Sequence, residues 1–139
     1  MGTWASDTFG NDYARDWAQD LQETTSLEHI EGSIDNALDG ADAELEAPFG
    51  AEALAAIDVL ARLQGQPGAA DDGTEDIDQW VARCKRKVTP ALAAKAHAAI
   101  ERVLSPQSEL DQLWRESDEY EAWRAGVLAL RARIVLTPP

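Results

Sequence analysis

The chain has 139 residues, 26 acidic against 12 basic side chains, and a formal net charge of −14. Such a balance excludes bare nucleic acid and anionic membrane surfaces as partners, because phosphate binding needs clustered cations. One cysteine, Cys84, excludes an internal disulfide and any multi-cysteine metal site. The length suits one domain that buries enough surface to fold without staples.

Charge is unevenly placed. Residues 1–79 carry 19 acids and two bases, Arg15 and Arg62, while residues 80–139 carry seven acids and ten bases. The two parts attract, which favours docking into one compact unit and leaves an acidic field on the N-terminal side.

Apolar residues recur at helical spacing along almost the whole chain. Asn11 reads as the cap of a first helix with Tyr13, Trp17 and Leu21 on one face. A second begins at Thr25 or Ser26, with Thr25 and Glu28 in capping-box spacing. Leu27, Ile30, Ile34 and Leu38 form its stripe, and Gly40 stops it. A third runs from about Pro48 to Gln64 with a wide apolar face, ended by Gly65 and Pro67. Residues 65–73 are small and polar and are expected to be a mobile loop.

Thr74 caps a fourth helix that places Ile77, Trp80, Val81 and Cys84 on one face. Thr89-Pro90 opens a fifth, since proline suits the first helical position. Ser105-Pro106 breaks that helix. A short sixth follows, capped by Ser108 with Asp111 three residues on. Ser117 is the expected cap of a last helix over about 118–135, with Trp123, Val127, Leu130 and Ile134 facing inward. Residues 137–139 are expected to fray. No alternating run is bounded by turns, so strands are not expected. The expected fold is all-α: one domain over residues 1–139 with six or seven helices, orthogonal or bundle-like.

The opening Gly2-x-Trp4-x-x-x-x-Phe9-x-Asn11-Asp12-x-Ala14-x-Asp16-Trp17 resembles the start of a family of small bacterial proteins, catalogued as a domain of unknown function. Leu63-Gln64-Gly65-Gln66-Pro67 and Ser108-Glu109-Leu110-x-x-Leu113-Trp114-x-Glu116-Ser117, with Trp123, are similar to later parts of that family. The resemblance implies an all-helical bacterial domain and carries no active site with it. In physical terms, Trp4 and Phe9 are placed to fold back on the first helix as apolar plugs.

No secretory signal and no apolar run of roughly 18 residues is present, so a soluble, cytoplasmic protein is expected. Gly2 and Ser6 match the minimal myristoylation pattern, without a polybasic stretch behind it. Cys84 sits among Arg83, Lys85, Arg86 and Lys87, and cations lower a thiol pKa. A cysteine catalyst also needs a base, and His29 and His97 are the only histidines. The helical spacing of Cys84 with Trp80 and Val81 reads instead as a buried structural thiol. Asp35, Asp39, Gly40 and Glu46 fall on four positions of a calcium loop, but Ala37 and Asp42 break the pattern. Asp71, Asp72, Glu75 and Asp76 form a second acidic cluster that reads as a solvated loop running into a helix N-terminus. No phosphate-binding loop, dinucleotide fingerprint or nucleophile elbow occurs. The five tryptophans read mainly as core. No catalytic residue, cofactor or metal is therefore expected.

The leading functional expectation is a protein–protein interaction module that binds a basic partner, of immunity or regulator type. Asp7, Asp12, Asp16, Asp35, Asp39 and Asp42 are its candidate contact residues. The alternatives are a homo-oligomeric structural protein, such as a homodimer, and a small hydrolase-type enzyme using His29, His97, Cys84 and the acids from Asp35 to Glu46.

Overall fold

The third helix organises the molecule, and its composition explains why. The computed structural model describes residues 12–39, 44–65, 75–84 and 87–135. They form α1 (Asp12–Leu21), α2 (Glu28–Leu38), α3 (Ala47–Leu63), α4 (Glu75–Arg83), α5 (Pro90–Val103), α6 (Glu109–Arg115) and α7 (Tyr120–Arg133). Helix α3 is rich in alanine and buries residues on all its sides, from Ala51 through Ile57 to Ala61. A helix apolar all round belongs in the middle, and α3 packs on each of the six other described helices. Gly50 lets α6 come close: a Cβ there would stand 2.9 Å from Leu110 Cδ1.

Around α3 the acidic and basic parts of the chain dock as their charges imply. Helices α1 and α2 pack on α3, and α5 packs across α2. Lys95 of α5 reaches Glu31 and Asp35 of α2 at 2.9 and 3.0 Å, and Arg102 donates to the Ala37 carbonyl. Trp17, Trp80, Trp114 and Trp123 are all buried, with indole nitrogens of Trp17 and Trp80 donating to Ser33 Oγ and the Thr24 carbonyl. Together the described residues make an all-α single domain. A lone parallel bridge, Leu45 with Ser108, is the exception: Leu45 donates to the Gln107 carbonyl and accepts from Glu109. It ties the start of α3 to the start of α6, and Glu109 Oε1 accepts from Ala47 N–H at 2.7 Å.

Helix punctuation follows the sequence at three points. Thr89 Oγ1 accepts from Leu92 N–H, with Pro90 opening α5. Ser108 Oγ accepts from Asp111 N–H. Gly65 ends α3 at φ +82°, the left-handed conformation that glycine adopts without strain. At two points it differs. Helix α2 starts at Glu28 rather than Thr25, with no side-chain cap. The nearby hydroxyls are engaged in turns instead, Thr24 Oγ1 accepting from Ser26 N–H and Ser26 Oγ from Glu28 N–H. Helix α7 starts at Tyr120 rather than near 118, because Ser117 donates back to the Trp114 carbonyl and closes α6. The expected cap Asn11, the stop Gly40, the loop over 66–73, the cap Thr74, the residues 137–139, and Trp4 with Phe9 lie outside the described residues.

Candidate functional site

The six candidate aspartates divide. Asp16 is exposed on α1, and Asp20, one turn further on, is exposed beside it. Asp12 opens α1, so backbone geometry sets it in the same i, i+4 row, although its side chain lies outside the described residues. Asp39 is exposed as the C-cap of α2. Asp35 bonds Lys95, a cation that it shares with Glu31. Asp7 and Asp42 lie outside the described residues, as does most of the expected calcium-like segment after Asp39.

Several cations of the C-terminal part bond to neighbours within the molecule, most of them from exposed side chains. Arg133 bonds Asp58 at 2.9 Å, Arg131 bonds Glu101, Arg115 bonds Asp111, and Arg83 donates to Gln22 Oε1. Asp16, Asp20, Glu23, Glu28 and Asp39 are exposed. None of the five holds an ion pair among the described residues. Like charges one helical turn apart oppose helix formation, so the Asp16–Asp20 row carries a small local cost without compensation.

Among the described residues, Cys84, His97 and His29 each bond to a different backbone carbonyl. Cys84 is buried and its thiol donates to the Thr25 carbonyl at 3.5 Å. His97 Nε2 donates to the Ile134 carbonyl at 3.2 Å. His29 stacks on Trp17, ring centroids 4.8 Å apart, and its Nε2 donates to the Trp17 carbonyl. No group of three potential metal ligands forms among the described residues. No described helix is long and apolar enough to cross a membrane.

Three polar clusters escaped the sequence reading. Asp58 is buried in α3, where Oδ1 accepts from Arg62 at 2.6 Å and Oδ2 from Arg133 at 2.9 Å. Burial pulls the Arg62 guanidinium down, but the bonds and charge of Asp58, then Asp78, outweigh it and hold it above its usual range. Asp111, buried in α6, accepts from Arg115 and from the Tyr120 hydroxyl, while Arg115 lies over the Tyr120 ring. Burial and the hydrogen bond to Asp111 raise the Tyr120 pKa. Glu52 faces His29 and Asp20; burial pushes its carboxyl up, His29 opposes this and Asp20 adds to it. A faint signal existed for two of these, since Asp58–Arg62 and Asp111–Arg115 are i, i+4 pairs. Nothing local marked Glu52.

The described residues thus define an all-α domain whose first helix carries two exposed acids, Asp16 and Asp20, that hold no ion pair among them. The chain belongs to the DUF4259 family, a domain of unknown function, whose family model matches residues 2–126. Among curated proteins and solved structures, none matches it.

Proposed function

We propose that this protein is an interaction module that presents its acidic N-terminal surface to a basic protein partner. The exposed Asp16–Asp20 row, with no cation paired to it among the described residues, carries this reading. Acids without internal partners add little to the fold, whereas they steer a cationic protein and speed its association. Glu23, Glu28 and Asp39 extend the same charge, and the partner would be one that the module neutralises or regulates.

Affinity capture from the native lysate at low and high salt, compared with an Asp16→Lys/Asp20→Lys variant, tests the proposal. A basic protein retained at low salt, released at high salt and lost with the variant is the expected result. Capture indifferent to both salt and charge reversal overturns it.

Phe49 and Leu113 favour a second reading, self-association. Both are large apolar side chains, 41% and 47% exposed, on helices that meet where Gly50 faces Leu110. Sedimentation that shows a monomer at high micromolar concentration removes this alternative.

A further inference from the structure

The chain after α7 is held almost entirely by side chains of other elements. Ile134 leaves the helix in extended conformation, with φ −80° and ψ 118°, and its side chain is buried. Gln64, just past α3, grips the next residue on both sides of its backbone: Val135 N–H donates to Oε1 at 2.8 Å, and Nε2 donates to the Val135 carbonyl at 2.9 Å. His97 of α5 takes the Ile134 carbonyl. Arg133 reaches back to Asp58.

We propose that residues 133–135 are a strap that opens and closes as one unit while the other helices stay folded. Three features poise it to do so. Opening frees Asp58 Oδ2 but leaves Asp58 ion-paired, because Arg62 keeps its 2.6 Å bond to Oδ1 when Arg133 departs. Gln64 and His97 are only half-buried, so water replaces the backbone groups that they release. Among the described residues, only the Ile134 N–H, bonded to the Arg131 carbonyl, ties the backbone of Ile134 and Val135 to α7, and the other backbone bonds of the two residues go to His97 and Gln64. What resists opening is the burial of Ile134 and the Arg133–Asp58 ion pair. Segments with few buried contacts and solvent-replaceable hydrogen bonds are those that open locally. These residues also lie beyond the part of the chain that the family model matches.

Amide hydrogen exchange on the full chain, read residue by residue, tests this. In the unmodified protein, Ile134 and Val135 are expected to exchange faster than Ile57 and Leu60 of α3. Gln64→Ala and His97→Ala, placed on different elements, are each expected to accelerate the same amides, Arg133 to Val135, by about tenfold. Ile57 and Leu60 stay unchanged in both variants. If each variant speeds only the residue that it touched, the segment frays piecemeal and the proposal fails. If the strap exchanges only together with Ile57 and Leu60, no separate unit exists and it also fails.

Discussion

Asp58 shows how one buried charge governs its surroundings. Its side chain and that of Arg62 are 6% and 4% exposed, and Arg133 closes the second oxygen. Removing one member of such a group leaves its partners charged and dry. Asp58→Ala is therefore expected to lose roughly 3–5 kcal/mol of stability in urea unfolding. Asp78 bonds the same Arg62 from a side chain that is 46% exposed. Asp78→Ala is expected to lose less than about 1 kcal/mol in the same measurement, since water screens an exposed pair. Glu52 behaves in the opposite sense. Burial raises its pKa above the ordinary 4.5, so the folded state disfavours its charged form. Its contribution is present at low pH and is lost as pH rises through the folded-state pKa. Glu52→Gln should raise the melting temperature at pH 7, and the gain should close as pH falls below 4.5. A gain that persists unchanged in acid would mean that charge is not the cause.

At the level of elements, local chemistry explains where some helices start and not others. Thr89 needs only its own hydroxyl and the amide three residues on, so the cap is legible without the fold. Thr89→Ala should cost about 1 kcal/mol, seen as a lower urea midpoint at unchanged slope. The start of α2 was not legible in this way. Thr24 and Thr25 lend their carbonyls to Trp80 and Cys84, more than 50 residues away in sequence, and the hydroxyls of Thr24 and Ser26 close turns instead of a cap. Ser117 serves both sides, its hydroxyl donating to the Trp114 carbonyl and accepting from Glu119 N–H. A capping residue identifies a boundary but not which of two neighbouring helices it serves.

Across the whole molecule, the net charge of −14 repels itself, while attraction is concentrated in a few internal pairs. Salt screens exposed, long-range repulsion more than it weakens buried pairs such as Asp58–Arg62. The melting temperature is therefore expected to rise between low salt and roughly physiological ionic strength, where the Debye length has shrunk to about 8 Å. A falling melting temperature would mean that attraction between the two charge-opposed parts, including the exposed Lys95–Glu31 and Lys95–Asp35 pairs, outweighs the repulsion. The same screening governs the proposed partner, so affinity and stability should respond to salt in opposite directions.

Helical periodicity and the Thr89, Ser108 and Gly65 signals determine the all-α class, the order of helices and the wide apolar face of α3, because these depend on neighbours a turn or so away. The opposed charges of the two parts likewise pointed to their docking, but not to which residues would meet. Only the tertiary structure decided which charges find an internal partner. Asp35 and Asp16 read alike in the sequence, yet Asp35 bonds Lys95, 60 residues away, while Asp16 holds no ion pair among the described residues. Burial decided the rest: Asp58, Asp111 and Glu52 are ordinary acids until packing strips their water, and packing is a property of the assembled core, not of any local segment.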